Sequence, residues 1–294
     1  MLTRTESVVL KTQRYGEADL IVTYLTLNKG IIKAFVKSPL KTKSRFGSSM
    51  EPLTHAKISL WGKEQSMPKI TQSDIINSFY QLRENLHDFV NASKLVEILL
   101  SLTPEGIPNK RLFLFFLNIM NHASSFGQTS VSQKDTKHNE KNPPSHRHNL
   151  PTSPFDKGGQ RGILKMGMGE FFEHKQRNIL YIIFQIRLLV LLGYAPRLGG
   201  CGRCGGKSLD FYPASGTVLC KRCAITPVTG REIPVRLTEK VVKFYSHCIK
   251  WPIDISTRLK PHREVVSMLS SVLDEHLNHL LGRKLLSSEF LARV

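Results

Sequence analysis

The sequence has few acidic residues for its length and no hydrophobic run long enough to cross a membrane. Only 23 Asp and Glu stand against 42 Lys and Arg, which leaves a formal charge of +19 at pH 7 over 294 residues. The longest apolar run, residues 179–192, falls short of the ~20 residues of a membrane span and contains Gln185 and Arg187. The N-terminus also lacks the continuous apolar segment of a signal peptide. We therefore expect a cytoplasmic protein without a membrane-spanning segment.

The shortage of negative charge predicts a polyanionic partner. The chain is 40% hydrophobic and has 15 Phe, so we expect its cations on a folded body rather than on a disordered tail. Because like charges repel one another in the compact state, a large excess is usually matched by an external polyanion. Nucleic acid is therefore the first expected partner and an acidic membrane surface the second. A basic surface of a ribosomal or housekeeping protein is the alternative.

Residues 1–80 have the pattern of short strands separated by turn residues. The runs that predict strands occupy 7–10, 20–27, 31–37, 55–65 and 67–79. Five strands at this spacing favour a small closed barrel of the OB type. From residue 81 the apolar residues recur at helical spacing instead, which predicts a bundle of amphipathic helices.

Two segments interrupt the predicted helical domain. Residues 124–168 are rich in Pro, Gly, Ser, His and Lys and have no apolar period, so we predict a disordered insertion there. Residues 199–226 contain a cysteine loop, which leaves a helical domain built from 81–123, 169–198 and 227–294. The predicted fold class is α+β multidomain: a five-stranded OB-fold barrel at 1–80, followed by an all-α domain with an inserted zinc-finger-like loop of four cysteines.

Four of the five cysteines form two close pairs with the spacing C-x2-C-x15-C-x2-C, namely Cys201, Cys204, Cys220 and Cys223. Two such pairs in tight turns can close a tetrahedral shell of thiolates around zinc. Because four thiolates leave no coordination position for water or substrate, we predict a structural Zn²⁺. Redox-active pairs or reduced bystanders are the alternatives, although a thioredoxin-like motif needs one pair after a strand. Cys248 is predicted to be a core thiol.

A run of cations without a nearby acid begins in the third predicted strand. Strand alternation predicts an apolar interior face of Ile32, Ala34 and Val36 and an outer face of Ile31, Lys33, Phe35 and Lys37. Asp19 is the last acid before this stretch and Glu51 the next after it, so we expect the cations to lack local counter-charges. Cations alternating with an aromatic ring can neutralise a phosphate backbone while a base stacks.

The candidate DNA-binding residues extend from this strand into the following loop. They are Arg14, Lys33, Phe35, Lys37, Lys41, Lys43 and Arg45. Arg14 is expected in an earlier loop beside Tyr15, from which it could join the others. The alternative interpretation is a solvated edge, because lysines often protect edge strands against aggregation.

Several longer motifs carry a resemblance to a known family over nearly the whole chain. They are VVLKTQRYGEADLIVTYLTLNKGIIKAFVKSPLKTKSRFGSSMEPL, NASKLVEILLSLTPEGIPNKRLFLFFL, FQIRLLVLLGYAPRLGGCGRCGG, GTVLCKRCA and LLGRKLLSSEFL. In these the chain resembles the RecO family of bacterial recombination mediators. Residues 16–19 match a family motif after the first strand, and the cations at 33–45 fall in its basic barrel segment. The segment 124–168 departs from the family pattern.

The resemblance implies an OB-fold domain, a helical domain carrying the zinc-finger-like loop, and no bond chemistry. It implies that the protein binds single- and double-stranded DNA, anneals complementary strands and helps to load recombinase onto strands coated by single-strand-binding protein. RecR and single-strand-binding protein are the implied protein partners, without a membrane or a small-molecule substrate. Some family members lack the cysteines, so the zinc is expected to brace the fold. Association with the nucleoid follows from these partners.

Two other classes of function remain as alternatives. A zinc-containing nuclease would need clustered carboxylates to hold catalytic cations. The acids here are scattered, with Glu84 and Asp88 expected on one helical face and an adjacent pair at 274–275. A protein-interaction scaffold is the other alternative, since the apolar helices could dock a partner.

Overall fold

A closed β-barrel forms the N-terminal part of the computed structural model, which describes residues 2–39, 46–62, 66–131, 168–225 and 232–291. The described barrel strands are β1 (Leu2–Tyr15), β2 (Asp19–Thr26), β3 (Gly30–Val36), β4 (His55–Trp61) and β5 (Lys69–Asn77). They close in the order β1-β2-β3-β5-β4, with β3 and β5 parallel and the other neighbours antiparallel. The five predicted strands and the OB-like closure are confirmed.

Strand β1 is longer than its predicted run at 7–10 because it serves two neighbours. Its first part, from Leu2 to Val8, pairs with β4, and its second part, from Ser7 to Tyr15, pairs with β2. The register shifts between Val9 and Lys11, where an extra residue bends the strand. One bent strand therefore closes the barrel.

The predicted alternation along β3 is confirmed. Ala34 and Val36 are buried in the barrel interior, and Ile32 packs against the same core. Ile31 lies on the outer side, but it is buried too, because it joins a second core shared with the helices. Val8, Leu10 and Leu25 also belong to this shared core. The barrel is therefore fixed to the helical domain through one part of its outer side.

The described helices follow the barrel. They are α1 (Tyr80–Glu84), α2 (Leu86–Leu102), α3 (Lys110–Val131), α4 (Met168–Leu192), α5 (Lys221–Ala224), α6 (Glu239–Lys250), α7 (Ile253–Ser256), α8 (Arg263–Leu281) and α9 (Leu286–Leu291). Asn85 caps α2 by accepting a hydrogen bond from the backbone N–H of Asp88, and Asn109 does the same for α3 through Leu112. These side chains fix where the two helices begin.

Asn85 also corrects one expectation about the acids. Its backbone is extended, so α1 ends at Glu84 and a new helix begins at Leu86. Glu84 and Asp88 therefore do not share a helical face. In the adjacent acidic pair at 274–275, Asp274 forms an ion pair with Lys94, with its Oδ1 2.5 Å from the lysine Nζ.

Helix α3 extends beyond its predicted end at residue 123. It continues to Val131, so the first eight residues of the segment predicted as an insertion are helical. Extending an established helix is much easier than starting a new one, and the strongest helix breaker, proline, does not occur between residues 109 and 142. Residues 132–167 lie outside the described residues, so the prediction of disorder stays a prediction there. Helix α4 begins at Met168, one residue before the expected resumption.

Aromatic and aliphatic side chains of α2, α3, α4, α6 and α8 form the shared core. Phe113 and Phe116 are fully buried, and Phe115 packs against the same core. Cys248 is also fully buried, and this burial raises the pKa of its thiol to about 12, consistent with the predicted core thiol. Among the described residues, no helix is both long and apolar enough to span a bilayer.

The cysteine segment folds as a small sheet inserted between α4 and α6. Its strands are β6 (Arg197–Cys201), β7 (Asp210–Tyr212), β8 (Thr217–Val218) and β9 (Val235–Arg236), in the order β6-β8-β7-β9. Phe211 reaches from this sheet into the shared core. His276 of α8 packs edge-on against that ring, and its Nε2 lies 2.8 Å from the carbonyl oxygen of Tyr194. The sheet is thereby anchored to the helical domain.

Candidate nucleic-acid interface and metal centre

Side chains from four barrel strands meet on the side of β3 that faces away from the barrel interior. Phe35 is opposite Ile21 of β2 and beside Lys69 of β5, and Lys69 in turn is opposite Trp61 of β4. Neighbouring residues in register point to the same face of a sheet. Because Leu60 and Ile70 are in the interior core, Trp61 and Lys69 point outward. Lys69 therefore lies between two aromatic positions.

A third aromatic ring completes this arrangement. The ring of Tyr15 meets that of Phe35 edge-to-face, with 5.9 Å between centroids. The exposed fractions of Tyr15 and Trp61 are 58% and 55%, although large aromatic side chains are usually buried in a folded chain. We call the surface made by these residues the outer barrel face: Tyr15, Lys33, Phe35, Lys37, Trp61 and Lys69.

Three of the predicted DNA-binding residues lie together on the outer barrel face, namely Lys33, Phe35 and Lys37. Arg14 does not join them. It lies within strand β1 rather than in a loop, and it is opposite Leu20, whose side chain is in the barrel interior. Strand alternation therefore places Arg14 on the side of β1 away from Tyr15. Lys41, Lys43 and Arg45 lie outside the described residues and stay predictions.

The expectation that the cations of this stretch lack counter-charges is wrong at Lys33. Its Nζ lies 2.6 Å from Oε1 of Glu105, which the turn between α2 and α3 brings to β3 from a distant part of the sequence. Lys37 and Lys69 form no ion pair with any residue that the structure describes. The carboxylate of Asp19 accepts a hydrogen bond from the backbone N–H of Ser38 at 2.7 Å.

Sequence reasoning missed Lys69 and Trp61 as members of this surface. Both flank the loop between β4 and β5, and they reach Phe35 only through the parallel closure between β3 and β5. That pairing joins strands that are not consecutive in the chain. The OB-type strand order was the available signal, because it fixes which strands are neighbours before any side chain is placed.

The four cysteines of the two pairs converge at the edge of the small sheet. Their Sγ atoms all lie within 4.8 Å of one another, and those of Cys204 and Cys220 are 3.7 Å apart. Sulfur atoms around a tetrahedral Zn²⁺ are about 3.8 Å apart, given Zn–S bonds of about 2.3 Å. Each pair sits in a tight turn: Gly205 N–H donates to the Cys201 carbonyl, and Cys223 N–H to the Cys220 carbonyl. The arrangement can hold a metal ion.

The surrounding backbone favours thiolates at two of these positions. Backbone N–H groups of Cys204, Cys220 and Arg203 lower the pKa of the Cys201 thiol to about 6. The N–H of Cys223 is the main cause that lowers the pKa of Cys220. The pKa of Cys223 is raised to about 12, chiefly through its hydrogen bond with the Cys220 sulfur. A bound dication would displace the proton that Cys223 retains.

Comparisons with known proteins agree with this architecture. Residues 1–79 match the family model described as Recombination protein O N terminal, and residues 170–289 match Recombination protein O C terminal. The DNA repair protein RecO of Thermodesulfovibrio yellowstonii is 32% identical over 95% of this chain and 93% of its own length. The protein of that name from Myxococcus xanthus is 24% identical over 98% and 96%. The chain belongs to the RecO family of DNA repair proteins.

Proposed function

We propose that the chain is a non-enzymatic recombination mediator that binds single-stranded DNA on the outer barrel face. The observation that carries this proposal is the row Phe35–Lys69–Trp61 on an OB-like barrel, with Lys37 beside it. Proteins that bind single strands combine cations, which track the phosphates, with aromatic rings on which bases stack. Both kinds of group are present, and Trp61 is more than half exposed.

Annealing of complementary strands follows from this mode of binding. A cationic surface that holds one strand by its phosphates reduces the repulsion felt by a second strand. Contacts to the backbone leave the base edges free to pair. We further propose that the chain binds double-stranded DNA, and that with RecR it helps to load recombinase onto DNA coated by single-strand-binding protein. We therefore also propose that it acts in the cytoplasm, in association with the nucleoid.

We assign the four-cysteine centre to a structural Zn²⁺. Cys201, Cys204, Cys220 and Cys223 would supply all four ligands, and a closed thiolate shell leaves no position for a substrate. When bound, the ion would crosslink the two turns. The contact between Phe211 and His276 then holds the small sheet against α8.

Binding and annealing can be tested on the same preparation. We expect fluorescence anisotropy to show binding of a labelled oligothymidylate that weakens with salt, and we expect the protein to accelerate pairing of complementary oligonucleotides. Trp61→Leu, which keeps an apolar side chain but removes the ring, should weaken binding by about 1–3 kcal/mol if a base stacks there. Ile255→Ala, at an exposed position of α7, is the control. Annealing no faster than in the absence of protein would contradict the proposal, and cleavage of labelled DNA with Mg²⁺ or Mn²⁺ would contradict its non-enzymatic part.

A further inference from the structure

We propose that Glu105 lowers the affinity of the outer barrel face for single-stranded DNA. Its carboxylate forms an ion pair with Lys33 in the free protein, and a DNA phosphate displaces the carboxylate on binding. This inference rests on the proposed function, because it gives one carboxylate a role at the same site. Glu105 lies in the turn between α2 and α3, with Oε1 2.6 Å from Nζ of Lys33. It carries the same sign of charge as the expected ligand.

The backbone holds this carboxylate against β3 independently of the ion pair. Gly106 N–H donates to the carbonyl oxygen of Ile31 at 2.8 Å, and Ile31 and Glu105 form a parallel β-bridge. Gly30 permits this close approach, because a Cβ there would overlap the carbonyl group of Ile107. The turn is therefore seated on the strand, and Glu105 stays within reach of Lys33.

The ion pair is exposed enough to be exchanged. The side chains of Lys33 and Glu105 are 46% and 56% exposed. Such pairs contribute little to stability, because water solvates both charges well when they separate. A phosphate that is also held by Lys37 or Lys69 can therefore replace the carboxylate. A strand that reaches only Lys33 must compete with a carboxylate that is permanently nearby, so Glu105 favours strands long enough to contact several cations.

Removing the charge at this position should strengthen binding. We expect Glu105→Gln to bind oligothymidylate about two- to fivefold more tightly than the unmodified chain at low salt. The slope of log Kd against log salt should change by less than about 0.7, the value for one phosphate contact on a single strand, because Lys33 contacts a phosphate in the bound state of both proteins. Adding Lys33→Gln to Glu105→Gln should abolish the gain. Glu84→Gln is the matched control, because it removes the same charge from an exposed position at the end of α1.

The outcomes separate this inference from the proposed function. If the unmodified chain binds but Glu105→Gln leaves the affinity unchanged, the inference is overturned and the proposed function stands. An equal gain in Glu84→Gln would indicate a general effect of net charge and would also overturn it. If neither the unmodified chain nor Glu105→Gln binds, both ideas fail. Glu105→Asp, which withdraws the carboxylate by one methylene and keeps the charge, should give a smaller gain, and circular dichroism checks the fold of each variant.

Discussion

At the scale of single residues, Lys37 and Lys69 are cations on the outer barrel face without an ion pair among the described residues. If each contacts one phosphate, Lys37→Gln plus Lys69→Gln should lower the slope of log Kd against log salt by about 1.4, which is twice the single-strand value of about 0.7. Titration of labelled oligothymidylate at several salt concentrations measures this slope. The control is Lys240→Gln plus Lys260→Gln, which removes the same charge from two exposed positions, one in α6 and one shortly before α8. Equal slopes in the two double variants would exclude the outer barrel face as the site.

Individual side chains also show where sequence reasoning stops. The outward positions of Lys33, Phe35 and Lys37 were predictable because alternation along a strand is a local property. The pairing of Lys33 with Glu105 was not predictable, because the fold brings together residues separated by two strands and two helices. The same reason explains why Lys69 and Trp61 were missed. Local pattern gives the direction of a side chain but not its neighbours from elsewhere in the chain.

At the scale of elements, the cysteine centre should determine the order of the small sheet. Among the described residues, its own buried cluster consists of Cys201, Tyr212 and Leu219, which is too small to hold the turns in place. We expect one zinc per chain by elemental analysis. Removal by a chelator should make residues 199–225 susceptible to protease, because structural zinc contributes roughly 10–16 kcal/mol in small peptides. The barrel should stay resistant and continue to bind DNA.

Cysteine variants provide the control for this prediction. Cys204→Ser should lose the metal and show the same protease sensitivity without a chelator. Cys248→Ala alters a buried thiol outside the four-cysteine centre and should retain the metal. Full zinc occupancy in Cys204→Ser, or loss of DNA binding on chelation, would contradict the assignment of a metal that only braces the fold.

One carboxylate of α2 accepts several hydrogen bonds from the start of helix α9 and the residues before it. Glu97 accepts hydrogen bonds from Arg283, from the backbone N–H groups of Leu286 and Ser287, and from the Ser287 hydroxyl. Partial burial acts to raise the pKa of Glu97, but these hydrogen bonds together hold it below the usual 4.5. A depressed pKa in the folded state means stabilisation that is complete above about 4.5 and is lost as pH falls through the folded-state value.

The pH dependence of Glu97→Gln tests this account of α9. Both oxygens of Glu97 accept hydrogen bonds, whereas a glutamine amide has one acceptor oxygen and an NH₂ donor. The variant should therefore have a lower Tm than the unmodified chain at pH 7. The difference in Tm should shrink as the pH falls below about 4.5, where the native carboxylate becomes protonated. Glu84→Gln, at an exposed position, should show little difference at either pH. A Tm difference for Glu97→Gln that is constant from pH 7 to pH 3 would contradict the account.

At the scale of the whole molecule, the barrel and the helical domain share a core and meet at Gly30. A Cβ at Gly30 would clash with backbone atoms of Ile107, which cannot rotate away. Gly30 and Gly16 both have a positive φ, of 66° and 67°. A Cβ at Gly16, however, would meet nothing within 4 Å. Gly16→Ala should therefore cost only the left-handed backbone penalty of about 1–2 kcal/mol. We expect Gly30→Ala to cost more than about 3 kcal/mol, measured by chemical denaturation.

The denaturation curves of these variants also test the shared core. Because Val8, Leu10 and Leu25 of the barrel are buried together with the helices, we expect one cooperative transition for both parts. Gly30→Ala should shift that transition as a whole. Separate transitions for barrel and helices, or equal losses in Gly16→Ala and Gly30→Ala, would show that the contact at Ile107 is not structurally important.

The order of the strands and helices was predictable from the sequence, whereas the contacts between them were not. Strand spacing before residue 80, helical spacing after it and the two cysteine pairs gave the order of elements, because each of these signals is local. The double pairing of β1 was missed, since it depends on β4 arriving beside a strand that already has a neighbour. The docking of the α2–α3 turn on β3 was missed for the same reason.

The shared core has a consequence for synthesis of the chain. Residues 2–77 can close into a barrel once β5 has been translated, but the core to which Val8, Leu10 and Leu25 belong also includes α4, α6 and α8 and is then still incomplete. Translation from residue 77 to the end of α4 at residue 192 takes on the order of ten seconds at bacterial rates. During this interval the nascent barrel exposes apolar surface near the ribosome exit, where chaperones can bind it.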